Sequence, residues 1–168
     1  LYSFIAWLWT HLIPIGRAPF RTNLFSAILA ASTLWLIWKS VTVWAESREY
    51  PRAAGQLGGL AAALALGSAT TFWHQATTAN IRMATVLFTA WGFLALARYE
   101  QAPPGSEARR RALHTLAVAT GLGIGHHPSL AFVAVGWLVG LILHRPRLII
   151  EPKRWWRAAL LTILAWSL

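Results

Sequence analysis

The spacing of its polar breaks constrains this chain more than any other feature. Apolar runs of bilayer length follow one another, with only short polar segments between them. A helix needs about 20 mainly apolar residues to cross the hydrocarbon layer, within a range of about 17–25. Residues 23–45, 53–73, 80–98, 112–125 and 130–144 read as five such runs, and 155–168 begins a sixth that stops at the chain end. Residues 1–15 form a shorter run that holds His11, Pro14, Trp7 and Trp9. That reads as an interfacial or re-entrant helix. The expected fold class is therefore all-α: a polytopic transmembrane helix bundle of about six spans plus an interfacial N-terminal helix. Residues 1–168 are expected to form part of a single transmembrane domain, as a fragment truncated at both ends. Gly55, Gly58 and Gly59 in the second span are expected to let helices approach closely, a common packing device in lipid.

Composition narrows the functional classes. Charged residues make up 12% of the chain, against roughly 25% in soluble domains. Many of the 11 tryptophans flank apolar runs, where amphipathic rings sit at headgroup level. There is no cysteine, which removes disulfides, thiol catalysis and thiolate metal ligands. All five acidic residues are glutamates, which limits any carboxylate chemistry. A net charge of +10 could suggest nucleic acid. The basic residues instead cluster in short breaks between apolar runs, the pattern of cytoplasmic membrane loops, so no nucleic-acid partner is expected.

Sidedness follows from those clusters. Arg98 and Arg109–Arg111 lie in one break, and Arg145, Arg147, Lys153, Arg154 and Arg157 in another. Both are expected to be cytoplasmic, and nothing more than topology determinants. Three polar segments are then external: residues 16–23, 71–82 and 123–129. Arg17 and Arg21 in the first run against the charge rule unless residues 1–15 lie on the outer face. Ionisable groups at membrane depth are costly and mark function. Arg21, His74, Arg82, His126 and His127 are thus the candidate substrate- and phosphate-binding residues, with Trp73, Gln75 and Asn80 as pocket lining.

Each candidate has a plainer alternative. In Gly-Ile-Gly-His-His-Pro-Ser-Leu, residues 123–130, Pro128 disfavours helical geometry at His127. The imidazoles could simply decorate a helix end capped by Gly125. A metal site would need His74 as third ligand. Trp73 and Gln75 could belong to an aromatic belt instead of a sugar pocket. Arg82 lies just inside its run and wants an anion, or snorkels to phospholipid. Thr22 or Asn23 is placed to cap a helix, and Arg21 beside it would complete an anion site. No phosphate loop, dinucleotide fingerprint or serine nucleophile elbow is present.

Three blocks carry a resemblance. They are Leu1-Tyr2-Ser3 followed by Pro19-Phe20-Arg21-Thr22-Asn23-Leu24-Phe25-Ser26-Ala27, then Thr71-Phe72-Trp73-His74-Gln75-Ala76, then Gly121-Leu122-Gly123-Ile124-Gly125-His126-His127. Together the chain resembles protein O-mannosyltransferase-like bacterial membrane proteins of the GT-C class of glycosyltransferases. The resemblance implies a multi-pass protein of the bacterial inner membrane with an extracytoplasmic site. It implies that a mannose-like sugar passes from a polyprenyl-phosphate donor to a protein or lipid-linked acceptor. The catalytic carboxylate would lie in an external loop upstream of Leu1. No cofactor is implied beyond a possible divalent metal. The sequence departs from the family at Asn80-Ile81-Arg82, where a Glu-Val-Tyr-like stretch is usual. The competing classes are a transporter or flippase, and a non-catalytic protein that binds lipid-linked sugar.

Overall fold

Prolines, glycines and hydroxyl residues cut the apolar runs into helices. The computed structural model describes residues 2–78, 81–144 and 152–168. Among these residues all regular structure is helical: α1 (Tyr2–Leu12), α2 (Ala18–Ser47), α3 (Arg52–Ser68), α4 (Thr70–Thr77), α5 (Arg82–Gln101), α6 (Glu107–His126), α7 (Leu130–His144) and α8 (Pro152–Trp166). Pro14 cannot continue α1. Gly16 then takes a left-handed turn at φ +66°, and Pro19 sits in the first turn of α2, where its missing N–H costs nothing. The far end of α2 closes on Glu49 at φ 62°. The Tyr50 amide donates to the Ala45 carbonyl and the Glu49 amide to the Glu46 carbonyl, both at 3.1 Å. This is a Schellman closure, with a glutamate where glycine is usual.

Glycines set the closest helix pairs. In α3, a Cβ added at Gly59 would lie 2.5 Å from the Trp38 carbonyl of α2, and one at Gly55 would lie 3.0 Å from the Ala45 Cβ. The expected close approach therefore occurs at Gly55 and Gly59. Gly58 faces the looser contact, 3.9 Å from Val41. The backbones pass so near that the Trp38 indole N–H donates to the Gln56 carbonyl at 3.3 Å. A second Gly-x-x-x-Gly pair, Gly121 and Gly125, seats α6 against the Thr162 and Trp166 carbonyls of α8. There the Thr162 hydroxyl donates to the Ala117 carbonyl at 3.2 Å. Small residues at helix crossings of this kind let the backbones pack closely.

The core runs along α2, α5 and α6. Leu36 and Val43 of α2 are buried with Ala90, Leu94 and Ala97 of α5, and Ala30 is buried with Met83, Phe72 and Ala76. The rising register on both helices makes α2 and α5 parallel. A third cluster joins Tyr99 of α5, Leu113 and Leu116 of α6, Trp137 and Leu141 of α7 and Ala158 of α8. The Trp137 indole lies on the bare backbone of Gly92 and edge-on to Phe93 at 5.9 Å. Three of the buried hydroxyls on α2 satisfy themselves one turn back. Thr33 donates to Leu29, Ser40 to Leu36 and Thr42 to Trp38, at 2.8, 2.6 and 2.9 Å. An apolar helix can bury such groups without an outside partner.

The outer surface is unusually apolar. Phe132 is 83% exposed, and Leu57, Leu64, Trp35, Val135, Leu143, Leu160 and Ile163 also stand outward.

Several expectations change. Residues 53–73 are two helices, not one span, broken at Ala69, and α4 meets α5 at 118°. The run at 112–125 begins five residues earlier, because Ser106 caps α6 by accepting from the Arg109 amide at 3.2 Å. The arginine cluster is thus helix and not loop. Thr22 and Asn23 do not cap α2, which starts at Ala18. Gly125 lies inside α6 against α8 and is not a left-handed cap. Among the described residues, α2, with 30 residues, is the one helix long and apolar enough to cross a bilayer by itself. The α4–α5 pair qualifies only as a broken span, and α7 and α8 are shorter apolar helices. The count of six spans is not reproduced at this level.

Candidate functional site

Chain direction decides which polar segments meet. α2 starts at one end of the bundle and α3 returns to it. α5 leaves that end parallel to α2, α6 comes back, and α7 leaves again. The α1–α2 corner, α4, the start of α5 and the α6–α7 corner therefore share one end. The breaks at 48–51 and 102–106 share the other.

At the first end, α6 and α5 are joined directly. His126, the last residue of α6, places Nε2 2.8 Å from the Ile81 carbonyl. A carbonyl only accepts, so Nε2 carries the hydrogen and donates. The ring rests 5.9 Å from Phe88. Ile81 immediately precedes Arg82, the exposed first residue of α5. His126 thus reaches a residue 45 positions away in sequence, immediately beside Arg82.

His127 turns elsewhere. Its backbone is extended, at φ −151° and ψ 123°, as the following proline requires. Its Nδ1 lies 2.8 Å from the Ser129 hydroxyl and accepts the Ser129 amide at 3.2 Å. That bare Nδ1 opens the turn into α7. The two adjacent imidazoles therefore have different partners.

α4 lies across this end, with Phe72 and Ala76 buried in the core. Its other face presents Trp73, 64% exposed, and His74. Gln75 is half-buried. The His74 carbonyl accepts the Thr78 hydroxyl at 2.7 Å as the helix ends. Asn80, expected to line the pocket, lies outside the described residues.

Arg21 is engaged with backbone. Its Nη1 donates to the Thr10 carbonyl at 2.6 Å, Nη2 to Gly16 at 2.9 Å, and Nε to Gly16 and Ile15 at 3.2 and 3.3 Å. Trp9 Nε1 returns a bond to the Arg21 carbonyl at 2.9 Å. Arg21 therefore ties α1 to α2, and the site nearby is built from His126, Arg82 and the outer face of α4. Among the described residues no three of His, Asp and Glu come together as a metal cluster.

Two features escape sequence reasoning. The buried hydroxyls of Ser26 on α2 and Thr85 on α5 have no hydrogen-bond partner among the described residues. Both lie within about two turns of the polar end of their helices. At the opposite end Arg109 is only 8% exposed. Its guanidinium lies 4.3 Å from the Tyr99 ring centre, and its Nε and Nη2 meet no acceptor among the described residues. Only the Ser106–Glu107 helix start could have signalled that this arginine turns inward.

All-helical structure among the described residues, with one polar end and many exposed apolar side chains, defines the class as an all-α bundle. The particular family is shown by its sequence pattern: residues 1–148 match the protein O-mannosyl-transferase TMEM260 N-terminal domain, and the chain belongs to that family. No curated protein and no solved structure matches it.

Proposed function

We propose that this chain is the multi-pass membrane part of a GT-C-type protein O-mannosyltransferase. It moves mannose from a polyprenyl-phosphate donor to a protein hydroxyl on the extracytoplasmic side. The family supports the transferase chemistry. The observation that carries the site is the His126–Ile81 bond, which holds the end of α6 against the start of α5 beside Arg82. Two further features support the membrane reading. The exposed side chains along α3, α7 and α8 are those lipid would cover. The end opposite the site carries Arg48, Arg52, Arg98 and Arg109–Arg111, as the positive-inside rule expects of a cytoplasmic face.

Sugar transfer leaves a lipid phosphate whose developing charge needs donors. Arg82 is the side chain for that role. His126 positions the start of α5, and Trp73 and His74 form a wall for sugar or acceptor. Activation of the acceptor hydroxyl needs a base, and the described residues at this end include no carboxylate. The test is mannosyl transfer from a polyprenyl-phosphate-mannose donor by full-length enzyme carrying Arg82→Ala. One lost charge-assisted contact to the leaving phosphate should lower kcat about 100-fold with little change in acceptor KM. Unchanged transfer removes Arg82 from the phosphate site.

A further inference from the structure

A cleft of about 350 Å³ opens between α2, α5 and α7 at the end opposite the candidate site. Ile37, Val41 and Leu96 form its aliphatic wall, and Trp44 and Phe93, both more than two-fifths exposed, flank it. The remaining lining is almost wholly apolar, since the Ser40 hydroxyl is spent on the Leu36 carbonyl. Two charges also line the cleft: Arg48, just past the end of α2, and Glu100, in the last turn of α5. They form no ion pair with each other; the ion pair among the described residues is Arg110 with Glu107. The Arg48 guanidinium lies 5.6 Å from the Trp44 ring centre.

We propose that this cleft binds one aminophospholipid, of the phosphatidylethanolamine class, with an acyl chain along the apolar wall. The inference rests on the membrane reading above. The charge pattern selects the headgroup. A zwitterion carries a phosphate and an ammonium a few atoms apart, and the cleft offers a guanidinium and a carboxylate. Arg48 takes the phosphate as a fork-shaped donor. Glu100 takes the ammonium, helped by position, because α2 and α5 both end here. Helix C-termini carry partial negative charge that favours a cation and disfavours a second anion. A purely anionic headgroup would meet Glu100 and two helix ends. A choline headgroup fits the charges but has no N–H to donate.

The test is native mass spectrometry of the full-length protein in mild detergent, titrated separately with dioleoyl phosphatidylethanolamine, phosphatidylcholine and phosphatidylglycerol. The expected order of affinity is ethanolamine above choline above glycerol. Glu100→Gln should abolish the preference for ethanolamine, a loss of about tenfold for one charge-assisted hydrogen bond. Arg48→Gln should weaken all three lipids, and Arg111→Gln, outside the cleft, should change none. Equal binding of the three lipids by the unmodified protein overturns the proposal, as does a preference that survives Glu100→Gln. Failure of the protein to partition into membranes at all would count against the membrane reading itself. Of the three variants, Arg48→Gln and Arg111→Gln lie at exposed positions and Glu100→Gln at a half-buried one, so their folding is checked by melting temperature alone.

Discussion

At Arg21 the sequence gives a charge without its destination. An arginine beside a helix start suggests an anion, yet the guanidinium reaches back over α1 and donates to three backbone carbonyls. Those carbonyls belong to the last turn of α1 and to the turn after it, groups that have no helical partner of their own. Arg21→Ala should therefore loosen the α1–α2 corner at a cost of about 1–3 kcal/mol. Faster amide exchange at residues 10–17, with the rest of the bundle unchanged, would check this. Loss of transfer without such loosening would return Arg21 to the phosphate site. The same limit applied to the histidines. Adjacent imidazoles before a proline announced a helix end, and the extended backbone at His127 follows from Pro128. That His126 donates to Ile81, 45 residues away, depends on how α6 lies against α5. No local pattern carries that information. Arg109 shows the reverse: hydropathy reads it as a loop charge, yet it is buried, because the helix start at Ser106 lies outside the apolar run.

At the scale of elements, run length located most helices but merged two of them. Residues 53–73 contain no proline, so nothing apolar or polar flags the break at Ala69. The chain passes through Gly67, Ser68, Thr70 and Thr71, residues of weak helix preference whose effect is only cumulative. The glycines separate into two kinds that the sequence does not distinguish. Gly59 and Gly121 face a neighbouring backbone, whereas a Cβ at Gly136 meets nothing within 4 Å. One substitution should thus act with opposite signs. Gly59→Ala and Gly121→Ala should each cost about 1–3 kcal/mol through overpacking, read as a lower melting temperature of the full-length protein in detergent. Gly136→Ala should be neutral or stabilise by up to about 1 kcal/mol through backbone entropy. The turn after α2 offers a gain of its own. Glu49 holds a left-handed φ of 62°, which costs a non-glycine residue about 1–2 kcal/mol. Glu49→Gly keeps the Schellman bonds and should raise stability by a little under that amount, because glycine is freer when unfolded. A fall in melting temperature would mean that the Glu49 side chain contributes more than its strained backbone costs.

The whole molecule is polarised between its two ends. The helix order puts Trp73, His74, Arg82 and His126 at one end and the breaks at 48–51 and 102–106 at the other. If the bundle spans a bilayer, these ends face different compartments, and arginine density assigns the second to the cytoplasm. The prediction is decisive because single helices argue weakly here: α2 alone has the length and apolarity to cross. Helices as short as α3, with 17 residues, or α7, with 15, would need a thinned bilayer or anchoring by flanking residues. The chain has no cysteine, so one introduced thiol in a cysteine-free full-length background reports its own position. Trp73→Cys and Ala108→Cys both lie at exposed sites, which limits the cost to folding. In intact cells a membrane-impermeant maleimide should label Trp73→Cys at once, and Ala108→Cys only after permeabilisation. The opposite pattern would invert the bundle and place the candidate site in the cytoplasm, where a transferase acting on exported proteins could not work. Equal labelling of both from the start would remove the membrane between them, and with it the positive-inside argument. The exposed apolar side chains of α7 and α8 would then have to be covered by protein instead of lipid.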